Sequence, residues 1–153
     1  MTGSGPGAPD IRHASAVVLG HGPGVPGFGV LIEGPSGTGK SALALQLIAL
    51  GAALVADDRT RIAPQGGWPW LHAPERLAGV IEARGVGLLA VAHVTGAPLR
   101  LIVDMGAVET ARLPEPEFRA VEDQRIRYIR RVDGPHFAGS IVALSKGGWW
   151  HDG

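Results

Sequence analysis

The octapeptide Gly34-Pro35-Ser36-Gly37-Thr38-Gly39-Lys40-Ser41 constrains this chain more than any other feature. It meets G-x-x-x-x-G-K-[ST] at every fixed position. Its glycines permit backbone turns that point successive N–H groups at phosphate oxygens. A helix beginning near Lys40 adds its positive dipole end. Lys40 is placed for the β- and γ-phosphates, and the Ser41 hydroxyl for Mg²⁺. Such a loop needs a buried strand before it and a helix after it. Residues 28–33 (FGVLIE) supply a short apolar strand, and residues 41–50 (SALALQLIAL) are strong helix formers that stop at Gly51. With 24 Gly in 153 residues a chance match is worth weighing. This composition gives a full match somewhere in the chain with a probability of about 0.003.

Around that unit the sequence reads as α/β with more strand than helix. Residues 14–19 form a strand, and residues 20–27 a Gly/Pro loop. Residues 52–56 are a short apolar run ending in Asp57-Asp58. Residues 59–63 pair with 70–73 across the Gln65-Gly66-Gly67 turn. Residues 74–77 read as one helical turn, and 80–83 and 86–91 flank Arg84-Gly85. Residues 99–105 read as a fully buried strand, and 112–122, rich in Pro and acid, as irregular. Residues 125–132 alternate as a one-sided strand. Pro135 opens a last helix over 136–146, with Phe137, Ile141 and Leu144 on one face.

Composition closes off other classes. Lys+Arg and Asp+Glu are 14 each, so no charge excess argues for nucleic acid. There is no Cys to build a disulfide scaffold or a thiolate metal centre. Neither a membrane-spanning apolar run nor a signal peptide is evident, so a cytoplasmic domain is expected. The domain is expected to cover residues 11–148, after a disordered segment 1–10 and before a tail 149–153.

A phosphate loop works with a carboxylate at the end of a neighbouring strand. Two places qualify: Asp57-Asp58 after 52–56, and Asp104 after Leu101-Ile102-Val103. Adjacent carboxylates on a strand end point different ways, so one can serve the metal and the other the acceptor hydroxyl. Among the histidines, His21, His72, His93, His136 and His151 show no metal-ligand spacing. The tryptophans at 68, 70, 149 and 150 suit packing or interface roles rather than base stacking.

With the loop and the acid pair in place, the chain resembles the catalytic C-terminal domain of HPr kinase/phosphorylase. The resemblance rests on an ordered set: His13-Ala14-Ser15, the loop at 34–41, Gly51-Ala52-Ala53-Leu54-Val55-Ala56-Asp57-Asp58-Arg59, Pro74-Glu75-Arg76, Glu82-Ala83-Arg84-Gly85-Val86-Gly87, and Arg112-Leu113. It implies a P-loop nucleotide-binding domain of the phosphoenolpyruvate-carboxykinase-like kind, a strand-rich mixed sheet with few helices. It implies ATP and Mg²⁺, and transfer to a serine of HPr, a phosphocarrier of the sugar phosphotransferase system. By the same resemblance Asp58 is the base for the acceptor serine and Asp57 its partner at the metal or hydroxyl. Glu82 joins Ser41 as a metal ligand, His13 is a catalytic histidine, and Arg112 stabilises transferred phosphate. A homo-oligomer, hexameric in the family, and a short form without the N-terminal domain are also implied. The stretch at 132–137 lacks an arginine that the family uses in dephosphorylation, so the reverse reaction is left open.

Two other classes compete. A non-catalytic nucleotide-sensing module would keep the loop without the acids. A small-molecule kinase would need a substrate pocket for which 153 residues leave little room.

Overall fold

The computed structural model describes residues 10–150. In chain order the first elements are β1 (Asp10–Arg12), β2 (Ser15–Leu19), β3 (Phe28–Glu33), α1 (Lys40–Ala49), β4 (Ala53–Ala56), β5 (Thr60–Gln65) and β6 (Trp68–His72). They are followed by β7 (Val80–Ala83), β8 (Gly87–Ala90), β9 (Gly96–Val108), β10 (Glu117–Val121), β11 (Gln124–Arg131) and α2 (Phe137–Gly147).

A nine-stranded mixed sheet organises the domain. Its spine runs β1-β5-β6-β9-β3-β2-β4, with β11 joined to β9 and β10 to β11. The strand before the phosphate loop, β3, is central: it is parallel to β9 and antiparallel to β2. The expected strand at 99–105 is the middle of a longer one. The first part of β9 pairs with β6 through Gly96–Pro98, and its later part with β11 from Leu101 onward. Strands on both edges satisfy the backbone of β9 and bury Leu101, Ile102 and Val103 to within 1% of full burial.

The two sheet faces carry separate cores. Val17, Val30, Ile32, Leu101 and Val103 meet Leu43 and Leu47 of α1 and Phe137 and Ile141 of α2. Ala16, Val18, Leu31, Leu99 and Ile102 face the other way, against Leu71, Ile126 and Tyr128. The period of two along β2 and β3 produces this division. In β9 a register shift opposite Gly29 and Val30 inserts one residue, so Leu99 and Leu101 lie in different cores. At Gly29 a Cβ would sit 2.2 Å from the Pro98 carbonyl oxygen, so only glycine admits this close strand pairing.

Two expectations need correction. Residues 74–77 form a bend rather than a helical turn. Leu77 has φ 59° and Gly79 φ 73°, left-handed conformations that a right-handed turn cannot contain. The stretch 112–122 is not irregular throughout, because β10 pairs antiparallel with β11. The hairpin turns on Glu122 and Asp123, with φ 48° and 67°. Two positive φ values give the turn type that matches strand twist, usually signalled by Asn-Gly. The strands at 59–63 and 70–73 do pair, as β5 and β6, and the last helix lies where Pro135 and the apolar spacing place it.

Of the segment expected to be disordered, residues 1–9 lie outside the described residues, while Asp10 begins β1 and pairs with Ile62. Of the tail, residues 151–153 lie outside them too. No helix among the described residues is long and apolar enough to cross a membrane.

Candidate phosphate-transfer site

The phosphate loop leaves the C-terminal end of β3, where a parallel sheet opens toward ligands. Gly39 is the N-cap of α1 with φ 94°, and no side chain caps the helix. The first N–H groups of α1 are therefore left for an external acceptor, such as a phosphate oxygen. Gly34 has φ 143°, and a Cβ there would stand 2.8 Å from Thr38 Oγ1. Thr38 ties the loop across its base, its Oγ1 and backbone N donating to the Pro35 carbonyl at 2.7 and 3.3 Å. Lys40 is 9% exposed, and its Nζ donates to the Gly34 carbonyl at 2.5 Å. The ammonium is thus folded back along the loop that is shaped to receive phosphate.

The loop forms one side of a cavity of about 590 Å³, to which Ser36, Gly37, Gly39, Lys40 and Ser41 contribute. The opposite side holds three carboxylates, Asp57, Asp58 and Glu82, with Arg84 and Val86 beside them. Asp57 and Asp58 follow β4, which the antiparallel β2 carries to the end of the sheet where β3 releases the loop. Glu82 comes from β7 of the separate β7–β8 hairpin, which leans on α1 through buried Ile81.

Asp57 is the hub of the polar network. Its Oδ1 accepts from Ser41 Oγ at 2.8 Å and from Ser15 Oγ at 2.9 Å. Ser15 Oγ in turn accepts from the Asp58 backbone N–H at 3.4 Å. Asp58 has φ 69°, a left-handed conformation that costs a non-glycine residue free energy. Strain of this kind at a cavity wall points to a functional position. The fully buried Ser15 holds the two consecutive aspartates in different orientations. Ser15 received no role from sequence reasoning, nor did Arg84. Both lie inside stretches that carry the resemblance, yet neither residue type at a strand end signals a site by itself.

The rival carboxylate lies elsewhere. Asp104 Oδ2 accepts from the Tyr128 hydroxyl at 2.5 Å, and its Oδ1 from the Gly106 N–H at 2.8 Å. Burial and this carboxylate push the Tyr128 phenol pKa up. Asp104 is thereby committed to β9–β11 structure and does not line the cavity. Nor do His13 and Arg112. His13 is exposed in the bend between β1 and β2, two residues before Ser15. Arg112 lines a different cavity, between β11 and α2.

The donors suit a hard cation. Ser41, Asp57 and Glu82 offer only oxygen, and no group of three or more acid, His or Cys side chains forms a closed cage among the described residues. That is the pattern of Mg²⁺ held by one or two carboxylates together with substrate phosphates.

Known proteins are similar to this chain. The family model described as "HPr Serine kinase C-terminal domain" matches residues 14–105. An HPr kinase/phosphorylase from Xylella fastidiosa is 40% identical over 120 residues, covering 71% of this chain and 37% of that protein. One from Bordetella petrii is 51% identical over 73 residues, covering 46% of this chain and 23% of that protein. The aligned region thus spans well under half the length of these relatives. The solved Hpr(Ser) kinase/phosphatase from Coxiella burnetii superposes with a TM-score of 0.72 at 22% identity, covering 90% of this chain and 88% of that one, which shows the fold. The family match takes in the phosphate loop, the aspartate pair and the β7–β8 hairpin. This chain therefore belongs to the HPr serine kinase C-terminal domain family.

Proposed function

We propose that this chain is an ATP- and Mg²⁺-dependent serine kinase acting on an HPr-type phosphocarrier protein. The observation that carries the reading is the convergence of Lys40, Ser41, Asp57, Asp58 and Glu82 on one cavity. Phosphoryl transfer demands positioning and charge neutralisation more than covalent chemistry, and this set supplies both.

The roles follow from placement. The loop N–H groups and Lys40 hold the β- and γ-phosphates once Nζ leaves the Gly34 carbonyl. The Ser41 hydroxyl, Asp57 and Glu82 would hold the metal, which would supply charge neutralisation at the phosphate oxygens. Asp57 also fixes the Ser41 and Ser15 hydroxyls. Asp58, on the cavity wall without a side-chain hydrogen bond among the described residues, takes the proton from the acceptor serine. His13, exposed between β1 and β2 and two residues before Ser15, is the proposed catalytic histidine, although it lies outside the cavity wall. Arg112 is the proposed stabiliser of transferred phosphate, and it lies outside this cavity, on the second cavity of the chain. The working form is a cytoplasmic homo-oligomer, hexameric as the family resemblance implies.

The three carboxylates disfavour a nucleotide sensor, which needs no base. The experiment is incubation with γ-labelled ATP, Mg²⁺ and a purified HPr-type protein. Label on a serine of that protein supports the kinase; hydrolysis of ATP with an unlabelled acceptor overturns it.

A further inference from the structure

A second cavity, of about 550 Å³, lies between β11, α2 and the 109–116 connection, and none of Lys40, Ser41, Asp57, Asp58 and Glu82 lines it. That volume is in the range of sites that enclose a small organic molecule. Its floor is apolar, with Ile129 of β11 against Phe137, Ile141 and Leu144 of α2. Its mouth is cationic and aromatic. The Arg127 guanidinium lies 3.8 Å from the centre of the Trp149 ring; beyond the lining, the Phe118 ring lies 5.5 Å from Arg127 and 4.0 Å from Arg125.

The ladder follows from strand register. Phe118 is directly opposite Arg127, and Ala120 opposite Arg125, so the three side chains share one face of the β10–β11 hairpin. Stacking occupies the flat faces of the guanidinium groups and leaves their N–H edges for an acceptor.

The unpaired arginines at the mouth favour an anion. Arg130 is hydrogen-bonded to Glu117 and has Glu109 at 3.7 Å, which accounts for both carboxylates. Among the described residues, neither Arg112 nor Arg127 has a carboxylate within ion-pair distance. Burial pulls the Arg127 pKa down, a cost that a bound anion would relieve. Glu115, on the exposed connection, is the one lining carboxylate without an arginine partner, so the unpaired lining groups are two arginines and one carboxylate.

We propose that this cavity is a second ligand site for a small amphipathic anion, an aromatic or alkyl carboxylate with its apolar group on α2 and its charge on Arg127 and Arg112. The bound group meets the side of α2 whose neighbours Phe137 and Ile141 also pack with Leu43 and Leu47 of α1.

The test is calorimetric titration of the full chain with 4-phenylbutyrate and with its uncharged analogue 4-phenylbutanol. One saturable site is expected, with the acid bound at least about tenfold more tightly than the alcohol. The double variant Arg112→Gln/Arg127→Gln should remove that preference while the alcohol still binds. Leu144→Trp should fill the cavity and remove both. ATP with Mg²⁺ should not displace the acid. Absence of saturable binding, equal affinity for acid and alcohol, or displacement by ATP would each overturn the proposal. Sedimentation showing a dimer that Arg127→Gln dissolves would assign the face to a second copy of the chain and overturn it as well.

Discussion

Ser41 and Asp57 are joined by a 2.8 Å hydrogen bond that links the first turn of α1 to the end of β4, across 16 residues of chain. It places the loop hydroxyl and an acid side by side before any phosphate arrives. Ser41 and Asp57 would therefore offer a metal ion oxygens already oriented, which would lower the ordering cost of binding.

Glu82 reaches the same cavity from a different hairpin. Replacement by Gln keeps size and hydrogen bonding and removes one anionic oxygen ligand. Glu82→Gln should raise the Mg²⁺ concentration needed for half-maximal phosphorylation by about tenfold or more. An unaltered Mg²⁺ titration would remove Glu82 from the metal shell.

Lys40 is largely buried along the loop, and its only hydrogen bond among the described residues is to Gly34. Lys40→Ala therefore deletes the loop's one mobile cation while leaving its backbone N–H groups. ATP·Mg binding or turnover should fall at least about tenfold, equivalent to about 1.4 kcal/mol. Calorimetry and a transfer assay test this together; no change in either contradicts the role.

The phosphate unit was legible because its parts are local: the loop, β3 and α1 occupy consecutive residues, and turn chemistry fixes each boundary. Asp57-Asp58 could be placed because β4 is short and ends in charge. Asp104 looked equally eligible, since nothing in its sequence neighbourhood announces Tyr128 24 residues later. Ser15 escaped notice for the same reason: its partner Asp57 is 42 residues away. The β10–β11 hairpin was hidden by a Glu-Asp turn in place of the usual glycine signal. Arg112 was carried to the transfer site by resemblance alone, and its place beside α2 depends on how β9 and β11 pair. Local chemistry was readable, while contacts set by sheet register were not.

His72 ties stability to pH. Burial, and then the nearby Arg61 charge, hold its imidazole pKa below the ordinary value, and its Nε2 is buried without a partner among the described residues. The fold favours the neutral ring, so the unfolded chain binds more protons. This contribution is present above the unfolded pKa of about 6.5 and is lost as pH falls below it. Denaturant midpoints should decline on acidification from neutral pH. His72→Gln, which cannot titrate, should flatten that decline. Parallel pH profiles for the two proteins would contradict the assignment.

The sharpest division of labour is between the two consecutive aspartates. Asp57 spends its Oδ1 on two serine hydroxyls, whereas Asp58 is turned into the left-handed region with its carboxylate on the cavity wall. A serine hydroxyl is a poor nucleophile, and a positioned carboxylate contributes about 10²–10⁴-fold. Asn preserves volume and hydrogen bonding at Asp58, and it tolerates positive φ, so Asp58→Asn should fold. It cannot accept the proton, and transfer to the acceptor serine should fall by about that factor. ATP affinity should stay within a few-fold, because the loop N–H groups and Lys40 are untouched. Asp57→Asn should instead change the Mg²⁺ dependence together with the rate, since it alters the groups that orient Ser41. The reverse pattern would exchange the two roles. Wild-type transfer by both variants would leave the site without its base, because Asp104, held by Tyr128 and Gly106, does not line the cavity.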